Sequence, residues 1–381
     1  MASTSSAADP VALLQDLVRC ASVTPTEAGV LNVLEQALAP LGFTVTRLRF
    51  EGGGSYPVDN LFATRGTDGP HLLFNGHTDV VPPGARGLWT HEPFGAEIAD
   101  GRLYGRGAAD MKSGIAAFVA ALAEAPAGAR ISLAITNDEE ADGVNGTARI
   151  LEWAAEQGHR FDFAIVGEPS ATARVGDSIK IGRRGSLSGR LTVSGVQGHV
   201  AYPDKARNPL PLAARLVTAL SGALDEASAD FPASNLEFTS IDVGNSVTNV
   251  IPATATLAFN VRFNAGWTPK SLTVELRRRI AAVAGADAAL EIVGVPSRAF
   301  LSPRSGAVEL LAQVIAAETG APPLMSTGGG TSDARFVAAY CPVVECGLPG
   351  STMHKADEHI VLADLHALTA LYGAFLRKFF S

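Results

Sequence analysis

Short apolar runs and longer helix-length segments alternate through the first half of the chain. Leu72-Leu73-Phe74, residues 131–135 and residues 163–166 are brief and uninterrupted, as strands buried on both faces are. Residues 113–125 and 145–157 have the length and apolar content of helices. Asp9-Pro10 offers an N-cap followed by Pro at the first helical position, which opens a helix to about Cys20. Strand, helix, strand, helix, strand predicts a mainly parallel sheet with helices on its faces.

The pattern changes near Lys180. Residues 187–193 alternate like a half-buried strand, and a helix is predicted over 209–227. Strands at 236–243 and 254–263 follow, then a helix over 269–284 with Arg277-Arg278-Arg279 on its surface, then a strand at 289–293. The order β-α-β-β-α-β is that of a ferredoxin-like α+β domain. After Pro296 a helix (305–319), a Gly-rich loop, a strand at Val343-Val344 and a helix over 362–380 return to the first pattern. The chain therefore reads as a discontinuous α/β domain, 1–179 and 294–381, carrying an insertion at 180–293. A length of 381 residues agrees with two cores rather than one.

Composition narrows the partners. The chain is 47% hydrophobic and 18% charged with a formal charge of −8, which argues against a nucleic-acid binder. No apolar stretch approaches the ~20 residues that span a bilayer. Residues 1–9 are Ser/Ala-rich and lack the basic and apolar segments of a secretory signal. Cys20, Cys341 and Cys346 are odd in number and poorly spaced for a disulfide framework, as reduced thiols of a cytoplasmic protein would be.

The polar residues that end these elements fall at one kind of position. The strand at 72–74 runs into Gly76-His77-Thr78-Asp79, that at 131–135 into Asn137-Asp138-Glu139-Glu140, and that at 163–166 into Gly167-Glu168-Pro169. Asp110 leads into the helix at 113, and His354 lies late in the chain. Open α/β sheets place their sites at such strand ends. Two imidazoles and several carboxylates without cysteine suit a pair of divalent ions, zinc foremost. One carboxylate would bridge them and one Glu would remain as a base. His77 and Asp79 lie two apart, so an extended backbone puts both on one side, with Asp79 orienting the second ring nitrogen of His77.

Each residue also has a plainer reading. His77 is then a turn histidine, Asp110 a helix-capping residue, and Asp138-Glu139-Glu140 an exposed acidic turn. His199, in Gly198-His199-Val200, is then a surface histidine outside the main domain. The loop from Thr327 to Asp333 lacks the Lys-Ser/Thr of a phosphate loop, and a carboxylate site or a hinge fits it better. His71, His91, His159 and His366 have no partners in sequence and read as structural. What favours the chemical reading is that all the ligands fall at equivalent positions in order.

These motifs together resemble the M20-type metallopeptidase and deacylase family. Residues 74–82 and 105–112, with Asp138-Glu139-Glu140, Gly167-Glu168-Pro169 and His354, carry the resemblance, which extends from about Val11 to Leu371. It implies a zinc-peptidase-like catalytic domain with an inserted dimerisation domain, hence a homodimer. It implies two Zn²⁺ per subunit, Co²⁺ being able to substitute. Asp110 would bridge them, with His77 and Glu168 on one and Glu140 and His354 on the other. Asp79 would support His77, Glu139 would be the general base, and His199 and Asn249 would reach the partner subunit's site. Arg183, Ser186, Tyr202, Arg262, Thr331 and Arg335 would hold the substrate's carboxylates and amine. Within the family, residues 183–189, 198–203, 249–253 and 330–336 resemble members that hydrolyse N-succinyl-LL-2,6-diaminopimelate to succinate and LL-2,6-diaminopimelate. Removal of another acyl group, cleavage of a dipeptide, or metal binding without catalysis are the alternatives. One departure stands out: the resemblance implies Asn four residues before the last ligand, where this chain has Gly350.

Overall fold

The computed structural model describes residues 9–381; the first eight residues, part of the stretch read above as unlike a secretory leader, lie outside them. The chain divides into two compact units. The first runs to Ile181 and resumes with Ser302–Ser326 and Ser332–Ser381; the second comprises Gly182–Leu301 and Thr327–Thr331.

In the first unit an eight-stranded sheet runs in the order Thr44–Gly52, Ser55–Arg65, Ala129–Thr136, Asp68–His77, Phe163–Val166, Val343–Glu345, Ser178–Lys180, Leu324–Ser326. The four middle strands, from Ala129–Thr136 to Val343–Glu345, are mutually parallel. Their side chains are almost all buried, which is why their sequences read as unbroken apolar runs. The outer hairpin, Thr44–Gly52 with Ser55–Arg65, is antiparallel. It escapes a reading based on apolar runs because charged residues such as Arg47, Arg49 and Asp59 interrupt it and pair at its surface.

Helix Ser113–Ala121 is buried on every side. It packs against the C-terminal helix Leu362–Phe379, where Phe118 stacks on Phe74 at 4.1 Å and Tyr372 meets both rings edge-on. Burying each such ring contributes ~1.5–3 kcal/mol. The helix approaches the strand ends so closely that a Cβ at Gly114 would lie 2.1 Å from the carbonyl oxygen of Gly167. Gly114→Ala is therefore expected to lower unfolding stability by ~1–3 kcal/mol, measured by urea titration, because the helix must move off the segment that presents Glu168. A variant as stable as the parent would show that this contact constrains nothing.

The second unit contains an antiparallel sheet in the order Gly222–Ala223, Asn235–Asp242, Thr254–Phe263, Gly185–Ser194, Ala288–Ser297. Alternate residues, among them Leu187, Leu191, Leu257, Phe259 and Val261, turn inward to meet Leu216, Leu220, Leu272 and Leu276 of helices Leu210–Leu220 and Pro269–Ala284. The four longer strands and two helices have the ferredoxin-like arrangement. The helix predicted over 209–227 is shorter than its apolar pattern. It stops at Leu220, Ser221 is extended, and Gly222 takes φ +102° to start the short edge strand. Leu224 is nonetheless buried in the same core, so the apolar period continues where the helix does not. The last strand extends to Ser297, and Phe300–Leu301 pairs with Gly182–Arg183, which sets where this unit begins and ends.

All three cysteines are free, and burial pushes the Cys341 and Cys346 thiols up to about 12. Among the described residues no helix is long and apolar enough to cross a membrane.

Candidate functional site

Parallel pairing brings the ends of adjacent strands together. His77 is the last residue of its strand and pairs with Thr136, which places it beside the turn that carries Glu139 and Glu140. Its ring is buried, and its Nδ1 lies 2.9 Å from the backbone carbonyl of Asp79. The Asp79 carboxylate is farther away, at 3.7 Å. The orientation expected from the Asp79 side chain thus comes from its backbone. The carboxylate instead accepts the N–H groups of Glu139 and Glu140 at 3.0–3.2 Å and the Thr24 hydroxyl at 2.9 Å. Asp79 therefore fixes the backbone of the glutamate pair, a role for which sequence offers no signal.

With Nδ1 donating to a carbonyl, the neutral ring of His77 presents Nε2 as a lone-pair donor. Nε2 is buried and makes no hydrogen bond, and it faces Asp110 Oδ1 at 3.4 Å and Glu168 Oε1 at 3.5 Å. The other oxygen of Asp110, Oδ2, lies 3.1 Å from Nε2 of His354, and Glu140 Oε1 lies 3.0 Å from the same nitrogen. Asp110 thus directs one oxygen at each imidazole. Donor atoms of His77, Glu139 and Glu168, and of His77, Asp110 and Glu140, fall within 4.8 Å of one another. All six residues belong to the first unit.

The electrostatics call for cations. Burial pushes Glu168 up to about 8, with the charge of Asp110 adding to it. Burial also holds Glu139 well above the carboxylate range; His77 opposes this, while Glu168, Asp333 and Glu140 reinforce it. His354 is pushed up to about 10 by Asp110 and Glu140. These are the shifts expected when four carboxylates crowd around two imidazoles with too little positive charge. Divalent ions held by nitrogen and oxygen donors would supply that charge, so the residues fit a metal pair.

Other buried groups surround the cluster. Lys112 is fully buried and donates to the carbonyls of Leu17 and Cys20 at 2.9 and 3.0 Å, and burial brings it down to about 8. Arg106 and Glu358 form a buried ion pair beside Asp110. Asp333 is buried, and burial raises its carboxyl. At Gly350 a Cβ would lie 3.0 Å from Pro169 Cβ and 3.3 Å from Met353 Sδ. A side chain there, Asn included, would crowd Pro169 and Met353.

The remaining candidates, Arg335 apart, belong to the second unit. Gly198–His199 pairs with Val250–Ile251, and Val200 N–H donates to the Asn249 carbonyl, so His199 and Asn249 share one short ribbon. His199 is exposed, and its Nδ1 accepts the Ala201 N–H at 3.0 Å. The neutral ring must then carry its proton on Nε2. Tyr202 lies beside it, ring centroids 5.8 Å apart. Ser186 sits directly opposite Arg262 across the sheet, and Arg183 donates to the Gly328 carbonyl at 3.3 Å, in the same segment as Thr331. Arg335 lies in the first unit, its guanidinium 4.5 Å above the Phe336 ring.

The sequence pattern of peptidase family M20/M25/M40 matches residues 73–378. A succinyl-diaminopimelate desuccinylase of Methylorubrum populi is 52% identical over 98% of this chain and 98% of its own. Among solved structures, an M20 family metallo-carboxypeptidase of Sulfolobus solfataricus superposes with a TM-score of 0.79 at 17% identity, over 97% of this chain and 99% of the other. A dinuclear metal binding peptidase of the same family, from Bacillus subtilis, superposes at 0.66 and 15% identity over 98% of both chains.

Proposed function

The chain belongs to peptidase family M20/M25/M40, a metal-dependent amide hydrolase by that membership, and from this premise we propose that it hydrolyses N-succinyl-LL-2,6-diaminopimelate to succinate and LL-2,6-diaminopimelate. The observation that carries the chemistry is Asp110, with one oxygen toward His77, which Glu168 also faces, and the other toward His354, which Glu140 also faces. His77, Asp110 and Glu168 would hold one Zn²⁺, and Asp110, Glu140 and His354 a second, with Co²⁺ able to replace either. When bound, the two ions make a water acidic enough to attack at neutral pH and polarise the amide carbonyl. Glu139, which neither set of ligands above uses, takes the water's proton and returns it to the leaving amine.

His199 stabilises the developing oxyanion through its Nε2–H, and it acts with Asn249 on the partner subunit's site in a homodimer. Arg183, Ser186, Tyr202, Arg262, Thr331 and Arg335 hold the substrate's carboxylates and amine, for which arginine is the apt residue. The enzyme would work in the cytoplasm, consistent with its free thiols.

Side-by-side assays with the succinylated diaminopimelate and N-acetylornithine test the substrate. The succinyl compound is expected to be preferred by at least about 10²-fold in kcat/KM, because the acetyl compound lacks carboxylates for which the arginines are placed. Equal rates, or the reverse preference, would assign the site to another acyl group.

A further inference from the structure

Four residues after His354, Glu358 is fully buried. Its Oε1 accepts the N–H of Ala109 at 2.9 Å and of Asp110 at 3.2 Å. Its Oε2 accepts Arg106 Nη1 at 2.6 Å, and the same nitrogen reaches the Lys355 carbonyl at 3.3 Å. The turn that precedes it is strained: His354 has φ +62° and Asp357 φ +53°, left-handed values that non-glycine residues rarely adopt. Asp357 fastens the other side of the turn, accepting Thr90 N–H at 2.8 Å and His91 N–H at 3.1 Å. Two adjacent carboxylates thus hold the loop of the last histidine, one of them directly on the backbone of Asp110.

Glu358 is outside both donor groupings, and nothing in the hydrolytic scheme uses it. A buried carboxylate persists only where donors satisfy it, and here every donor belongs to the Asp110 segment. We propose that Glu358 is a positioning residue that sets the separation between Asp110 and His354, and so the affinity of the cation those two residues share. The inference rests on the two-metal reading above. It differs from a general packing role because the carboxylate joins two ligand-bearing segments that are far apart in sequence.

The test is titration of Zn²⁺ into chelator-treated parent protein and Glu358→Gln, followed calorimetrically, with thermal unfolding of both metal-free proteins alongside. Gln offers an NH₂ group where either Arg106 or the backbone N–H pair needs an acceptor. The expected result is two ions on each protein, with the weaker dissociation constant raised about 10–100-fold in the variant and turnover restored by excess Zn²⁺. A lower unfolding midpoint with both constants within about twofold of the parent would leave Glu358 a structural residue and overturn the inference. If Glu358→Gln does not fold, Glu358→Asp keeps the charge and withdraws the acceptor by one methylene. There a rise of about tenfold is expected, and unchanged constants overturn the inference. A parent that binds fewer than two ions would remove the two-metal reading itself, and the inference with it.

Discussion

Glu139→Gln is expected to lower turnover by about 10²–10⁴-fold while both divalent ions still bind. The two adjacent glutamates are fixed by one carboxylate: Asp79 accepts both backbone N–H groups, so the side chains must diverge from a rigid turn. Glu140 ends 3.0 Å from Nε2 of His354 and shares that nitrogen with Asp110. Glu139 lies nearer His77 and Glu168, where burial holds its carboxyl well above the ordinary range. A carboxylate that shares an imidazole with Asp110 is placed as a ligand, which leaves Glu139 to carry the proton. Gln keeps the size of Glu139 but cannot carry a proton between water and amine. Glu140→Gln should instead weaken one metal site and lose activity that added metal restores. Metal analysis and single-turnover rates of the two variants decide the assignment; the reverse pair of phenotypes would exchange the roles.

How legible these features are in sequence depends on how far apart the cooperating residues lie. The middle strands are readable because burial on both faces leaves an unbroken apolar signature, as at Leu72-Leu73-Phe74. The ligand candidates other than His354, which lies in a turn, are readable because each follows such a strand or opens a helix. The edge hairpin is not, since Arg47 and Arg49 face solvent and break its pattern. Nor is the end of the helix at Leu220, because Leu224 goes on filling the same core. Contacts made through backbone atoms are hidden altogether. The Asp79 carbonyl orients His77, the Asp79 carboxylate grips the glutamate turn, and Glu358 accepts two N–H groups almost 250 residues away. Residue identity shows that Glu358 is acidic, but only the fold shows what it bonds. Gly350 is the converse case: its departure from the family pattern is visible in sequence, and the crowding a Cβ there would meet from Pro169 and Met353 is not.

Mixing two inactive variants, His199→Ala and Glu139→Gln, is expected to restore activity once subunits exchange. Every metal-ligand candidate belongs to the first compact unit, and His199 and Asn249 belong to the second. The Ala201 N–H occupies Nδ1 of His199, so the neutral ring can offer only Nε2–H, the form that stabilises an oxyanion. The sheet of the second unit has an outer strand, Ala288–Ser297, on which Val295 is 91% exposed. Such an edge can pair with a second copy across a two-fold axis. If each subunit lends His199 to its partner's metals, a mixed dimer contains one site that lacks both groups and one that has both. Random exchange of an equal mixture then predicts about a quarter of the parent turnover, against almost none for either variant alone. If His199 served its own chain, each site in the mixed dimer would lack one group, and exchange would restore nothing. Exchange itself is verified by pairing tagged with untagged chains, so a silent mixture of proven heterodimers would place His199 in its own subunit's chemistry or outside the reaction.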